Sequence, residues 1–173
     1  MSAETFTTAM FLITAVIAAG VLVNAVFPVV YNMAGTFSSA THESDQRLRT
    51  DFKIVTTVAN PTGTKNAQIW IKNIGSSRIP VSDITNRSDV FCGSTTDFDR
   101  LSWSSTGAAS YGTWSESFDA SYDTNNNEYW DPGETIKITA YSSKIPVTAD
   151  GSVYFQFILP DGIWRSVEFN AAS

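Results

Sequence analysis

Between residues 123 and 134 the chain sets oxygen-bearing side chains at regular intervals. Asp123, Asn125, Asn127, Asp131 and Glu134 take positions 1, 3, 5, 9 and 12 of a twelve-residue stretch, and Tyr129 offers its carbonyl at position 7. Calcium takes roughly six to eight oxygen ligands, and this is the ligand spacing of a calcium loop, with Glu134 placed to close the shell with both carboxylate oxygens. Glu128 departs from the pattern, because the sixth position normally carries glycine for a sharp turn. The competing reading is an Asn-rich hairpin loop that ends in the turn Pro132-Gly133. Calcium is the one cofactor the sequence points to.

Other chemistry is sparse. The single histidine, His42, follows an apolar run with no nucleophile-bearing motif beside it and reads as a linker residue. Cys92 is the only cysteine, so it forms no intrachain disulfide, and Val90-Phe91-Cys92 reads as an apolar strand with a small core residue. No glycine-rich phosphate loop is present. Eleven Lys and Arg against 17 Asp and Glu give a net charge of -6, which repels phosphate backbones and argues against nucleic-acid binding. Asn86-Arg87-Ser88 is an N-glycosylation acceptor sequence, meaningful if this part of the chain lies outside the cell. These absences predict a protein that is not an enzyme.

The elements that carry these residues divide the chain in two. Charged residues make up only 16% of the 173, against roughly a quarter in ordinary domains, and none occurs between Glu4 and Glu43. From Phe6 to Tyr31 the residues are mostly Ala, Val, Ile, Leu, Phe and Met. As a helix this run spans about 39 Å, longer than the roughly 30 Å hydrocarbon layer. A cleaved secretory signal fits poorly, because no cation precedes the run and its length exceeds a signal core. Phe11, Leu12, Ala15, Ala18, Ala19, Gly20, Val23 and Phe27 are the residues expected to meet neighbouring helices, the small ones allowing close approach. Pro28 removes the amide that would bond to Asn24, so a kink is expected there. Arg47, Arg49 and Lys53 follow the helix, and the positive-inside tendency would draw that side toward the cytoplasm.

After residue 50 the apolar period becomes two. Phe52 to Ala59, Gln68 to Ile74, Glu134 to Tyr141, Val153 to Leu159 and Ile163 to Phe169 read as strands separated by Asx, Gly and Pro turns. Weaker strands near 79–82, 88–92 and 98–103 bring the count to seven or eight. The expected fold is mainly β: an apolar helix with linker over 1–49, then an immunoglobulin-like antiparallel β-sandwich over 50–173. Residues 94–122 hold Trp103, Tyr111, Trp114, Phe118 and Tyr122, either as an exposed binding loop or as an insertion packed under the sandwich edge. No cation lies between Arg100 and Lys137, so the surface there should be negative.

An uncharged helix entering a β domain is the architecture of type IV pilin-like proteins and archaeal flagellins. The residues are more specifically similar to the FlaG-type stator of the archaeal flagellum, or archaellum. The stretches that carry the likeness are Ser2-Ala3-Glu4-Thr5-Phe6, Val26-Phe27-Pro28-Val29-Val30-Tyr31, Asp45-Gln46-Arg47-Leu48-Arg49-Thr50 and Ile69-Trp70-Ile71-Lys72-Asn73-Ile74-Gly75, followed by Ser88-Asp89-Val90-Phe91, Pro132-Gly133-Glu134-Thr135-Ile136 and Phe157-Ile158-Leu159-Pro160-Asp161-Gly162. The resemblance implies a membrane-anchored β-sandwich outside the cytoplasmic membrane, with its amino terminus in or near the cytoplasm, against the charge tendency. It implies self-assembly into an oligomer or filament, association with a FlaF-type protein and with the surface layer, and a stator role linking motor to envelope. Two alternatives stay open: a flagellin or pilin-like filament subunit, and a membrane-tethered adhesin or carbohydrate-binding sandwich that exposes Trp103, Tyr111 and Trp114.

Overall fold

The computed structural model describes residues 2–107, 109–118, 125, 127–148 and 151–171. Two compact units divide at residue 45, the first spanning Met1–Asp45 and the second Gln46–Ser173.

Helix α1 covers Ser2–Arg49, well beyond the apolar run, and stays helical through Pro28. Glu4 in its first turn and Arg47 and Arg49 in its last complement the helix dipole. The threonines along it do not oppose an apolar environment, because their hydroxyls bond back to carbonyls one turn earlier. Thr7 donates to the Ala3 carbonyl at 2.7 Å, Thr14 to Met10 at 2.8 Å and Thr41 to Phe37 at 2.7 Å.

The second unit is a β domain. Its strands are β1 (Phe52–Asn60), β2 (Asn66–Asn73), β3 (Ile79–Pro80), β4 (Asp89–Ser94), β5 (Phe98–Trp103), β6 (Thr113–Phe118), β7 (Tyr129–Trp130), β8 (Thr135–Tyr141), β9 (Ser152–Ile158) and β10 (Trp164–Asn170). One sheet runs in the order β1-β2-β8-β6-β5-β4-β9-β10, and β3 pairs separately with β7. The halves β1-β2-β8-β6 and β5-β4-β9-β10 are joined only by a two-residue parallel register, Ser102 opposite Thr113 and Trp103 opposite Trp114. Every other pairing is antiparallel. The sheet folds over on itself so that the inner faces of the halves meet, with Phe52 of β1 edge-on to Phe157 of β9 at 5.5 Å and Trp114 of β6 against the same ring at 6.3 Å.

The alternating burial expected for strands with one face on a core is seen in β2, β8 and β9. Ile69, Ile71, Ile136, Ile138, Phe155 and Phe157 point inward and are fully buried. Cys92 is buried among them, and burial pushes its thiol up to about 12, so it is chemically inert.

Three expectations change. Residues 81–87 form a short helix, α2 (Val81–Arg87), where a weak strand was expected to continue past residue 80. Pro80, still extended at φ -60° and ψ 136°, ends β3 and caps the start of the helix without a side-chain hydrogen bond. The segment 94–122 is neither one exposed loop nor one insertion. It contributes β5 and β6, with Trp114 only 1% exposed in the core and Trp103 36% exposed at the surface. Tyr122 lies outside the described residues. His42 belongs to α1 and not to a linker.

The start of the β domain is fixed by main-chain bonds. Amides of Ile74 and Gly75 donate to the Asp51 carbonyl at 3.0 and 2.9 Å, and those of Ser76 and Ser77 donate to the Arg49 carbonyl at 2.8 and 3.1 Å. The turn after β2 thus satisfies carbonyls that the end of a helix otherwise leaves without partners. Such close approach requires glycine at position 75, because a Cβ there would lie 2.3 Å from the Arg49 oxygen and 2.6 Å from the Asp51 nitrogen. Gly75→Ala is expected to destabilise the β domain by at least about 1–3 kcal/mol. Thermal unfolding followed by circular dichroism checks this, with Gly35→Ala, whose Cβ meets nothing within 4 Å, as the control in which no destabilisation is expected.

Candidate functional site

The eight helix residues singled out for assembly all lie on an uncovered surface. Phe11 is 74% exposed and Phe27 54%, every residue of the span Ala3–Thr41 is exposed, and its most apolar eighteen residues have mean hydropathy 2.4. By length and composition this helix can cross a membrane. Ala15, Ala18, Ala19 and Gly20 are equally open, so neighbouring backbones can approach closely there.

The predicted calcium loop lies beside the junction between helix and sheet. Asp123 is outside the described residues. The others gather around Asp131. Asn125 and Asn127 each donate a side-chain N–H to Asp131 Oδ2 at 2.8 Å, and the Tyr129 amide donates to Asn127 Oδ1 at 2.9 Å. The Asp131 amide donates to Glu134 Oε2 at 2.8 Å, while Glu134 Oε1, in a residue only 7% exposed, has no hydrogen-bond partner. Glu128, in the place normally held by glycine, takes φ +62°, the left-handed backbone that a calcium loop asks of that position.

As it stands, Asp131 serves these amides as an anion. Asn125 first, then Asn127, and the Arg78 guanidinium at 3.6 Å hold its carboxyl below the usual range. No group of three or more His, Cys, Asp or Glu side chains comes together among the described residues. A calcium site here would therefore rest on amide and carbonyl oxygens around two carboxylates, Asp131 and Glu134, a donor set suited to a hard cation. The unpartnered Glu134 oxygen is consistent with that fit.

The residue that ties loop to junction is Asn73, which the sequence reading passed over as the end of a strand. It is fully buried and saturated with hydrogen bonds. Its side-chain amide donates to the Ser77 and Trp130 carbonyls at 2.9 and 3.0 Å, and its Oδ1 accepts from the Gly75 amide at 3.0 Å. Its backbone bonds to Glu134 and Gly133. An Asn immediately before Ile-Gly at a strand end was the available signal, since such a side chain can bond the backbone two residues on.

Asn86 lies exposed on α2, with its side-chain N–H donating to the Ser82 carbonyl at 2.8 Å. At the opposite end of the domain Lys144 is paired with Asp97 and with Asp99 at 3.1 Å, which raises its ammonium pKa.

A helix that its own chain leaves exposed is continuous in sequence with a β domain that has its own core. The archaeal-type flagellin family model matches residues 3–169, and the chain belongs to that family. An Archaeoglobus fulgidus protein described as uncharacterized is 26% identical over 94% of this chain and 95% of its own length. Three solved structures share the fold. The periplasmic archaellum stator protein FlaG of Sulfolobus acidocaldarius aligns with TM-score 0.50 and 22% identity, over 69% of this chain and 99% of that one. A chain of the FlaF–FlaG stator complex of the same organism aligns with TM-score 0.51 and 20% identity, over 68% and 87%. The archaeal flagellum of Methanospirillum hungatei aligns with TM-score 0.56 and 16% identity, over 92% and 91%. The family and these neighbours are structural archaellum proteins.

Because the folded pKa of Asp131 lies below its ordinary 3.8, the stability it contributes is complete above pH ~4 and is lost as pH falls through the lowered value. Asp131→Asn is expected to flatten the fall in thermal midpoint between about pH 4 and pH 2, measured at several pH values alongside the parent.

Proposed function

We propose that this chain is a structural, self-assembling component of the archaellum, acting as a stator or scaffold that links the motor to the cell envelope. The observation that carries the reading is the apolar helix Ala3–Thr41, which nothing in its own chain covers, continuous in sequence with a β domain built on a full core. A stator resists tangential load. Helices shared among many subunits, in lipid or in a bundle, distribute that load. Main-chain bonds from the turn after β2 to Arg49 and Asp51 fix the entrance of the β domain within that domain. The proposed placement puts the amino terminus in or near the cytoplasm and the β domain outside the cytoplasmic membrane, with a FlaF-type protein and the surface layer as partners. Kinship in fold with a FlaF–FlaG complex supports the first of these partners. On this placement Asn86 is an exposed acceptor for N-linked sugar.

The second reading, a filament subunit, draws on one observation. The likeness to the Methanospirillum hungatei flagellum spans 92% of the chain, whereas the stator likenesses span 68% and 69%. Deleting the coding sequence in the source cell separates the two. Loss of a stator is expected to leave filaments that fail to propel, seen as flagellated cells that do not spread in soft agar. Loss of a shaft subunit leaves no filament under the electron microscope, and undiminished swimming would sink both readings.

We also propose that the loop of Asn125, Asn127, Tyr129, Asp131 and Glu134, with Asp123, takes calcium. Support comes from the ligand spacing, the left-handed Glu128 and the orphaned Glu134 oxygen. Bound calcium would supply charge that holds the loop closed beside Asn73. A ligand present at a hundred times its Kd stabilises by about 2.7 kcal/mol, a shift of several degrees in a domain of this size. Calcium is expected to raise the thermal midpoint over EGTA in the parent and not in Glu134→Gln; equal midpoints in the parent would refute the site.

A further inference from the structure

On the surface of the β domain lies a groove of about 400 Å³, lined by Trp103, Glu116, Phe118, Glu128, Tyr129 and the first turn of α2. Its rings come from three strands. Trp103 ends β5, Phe118 ends β6 and Tyr129 opens β7. Trp103 and Tyr129 are 36% and 37% exposed. The Trp103 indole N–H donates to Glu116 Oε2 at 2.5 Å, which fixes the ring and the carboxylate against each other. Glu128 stands at the rim on its left-handed backbone, and its carbonyl is held by the Val81 amide at 3.0 Å. Val81, Ser82 and Thr85 of α2 complete the lining, and the Thr85 hydroxyl donates to the Ser82 carbonyl of its own helix.

Two carboxylates and three aromatic rings line this groove, and no Lys, Arg or His does so among the described residues. Like charges facing a shared hollow repel each other and favour a cation between them. Ring faces carry negative quadrupole potential and attract the same guest, most strongly when water is displaced. The domain already uses this pairing: the Arg78 guanidinium lies 5.3 Å from the centroid of the Tyr129 ring, one of the three in the groove, and that of Arg165 lies 5.9 Å from Phe52. Trp103 and Phe118 carry no such cation among the described residues and are the rings left for a guest.

We propose that the groove is a docking site for an arginine side chain presented by a partner protein. Guanidinium fits better than ammonium because it is planar, stacks on an indole and donates to a carboxylate through two parallel N–H groups. Glu116 is the pairing partner, since only one of its oxygens is engaged by Trp103 among the described residues. Glu128 provides the second charge at the mouth. The inference goes beyond the stator or filament reading and does not depend on which of the two holds. It assigns the contact to the β domain and not to the helix.

The test uses the full chain in detergent micelles, labelled with 15N at tryptophan, with the Trp103 indole signal assigned by Trp103→Phe. The probe is N-acetyl-arginine amide, whose only charge is the guanidinium, with the citrulline analogue and methyl mannoside as neutral comparisons. A saturable shift of the Trp103 signal by the arginine probe alone is expected. In Glu116→Gln/Glu128→Gln the apparent affinity should fall at least tenfold, with the thermal midpoint reporting that the variant remains folded. If that variant does not fold, the charge term is read in the parent as weakening of the arginine shift by added salt. Absence of a saturable arginine shift, an equal response to citrulline, or a response to the mannoside alone would overturn the proposal.

Discussion

One constraint governs the rest of the structure: about forty residues of apolar helix have no cover within their own chain. Burying a single Leu, Val, Ile or Phe side chain is worth about 1.5–3 kcal/mol, and the span Ala3–Thr41 exposes more than a dozen such groups. That sum exceeds the roughly 5–15 kcal/mol by which a typical domain is stable. Whatever covers the helix, lipid or other helices, therefore dominates the energetics of the assembled protein. The local details agree with such an environment. Charges are confined to the two ends, and threonine hydroxyls along the span are satisfied by carbonyls of the previous turn.

The β domain answers a different requirement. It must hold its shape without help from the helix, and it does so by closing an eight-stranded sheet over a core of isoleucine, phenylalanine and tryptophan. Its point of entry has a polar solution. Four amides of the turn after β2 serve two carbonyls at the end of the helix, and Asn73 crosses from that turn to the loop carrying Asp131 and Glu134. Junction and loop are thereby one hydrogen-bonded unit. Leaving a buried partner of Asn73 unsatisfied would cost about 1–3 kcal/mol, a large fraction of what holds a domain of this size. A change in the loop has a direct route to the place where the chain enters the sandwich.

The acidic face of the domain is organised and not diffuse. Asp131 accepts from amide donors within its own loop, Lys144 pairs with Asp97 and Asp99 at the far end, and Glu116 is tied to an indole. Much of the negative charge of residues 97–136 is thus already satisfied within the domain. Net charge alone does not show this.

The amino-acid sequence by itself determined the elements whose signal is periodic. A charge-free run long enough to cross a membrane, and alternating β-branched and aromatic strands such as Gln68 to Ile74 and Val153 to Leu159, follow from which side chains tolerate water. Each is decided within a window of ten to thirty residues. The oxygen spacing from Asn125 to Glu134 was legible for the same reason, and most of those residues do converge. Tertiary structure decided what depends on partners far away in the chain. It made β6 a central strand and turned residues 81–87 into a helix. It buried Trp114 while leaving Trp103 at the surface, although the two face each other in one register. It forced Glu128 into a backbone usually reserved for glycine and made Asn73 the tie between junction and loop. A buried polar group is explained only by the donors and acceptors around it, and those of Asn73 come from the turn after β2, from β7 and from the turn before β8 together, which no local window contains.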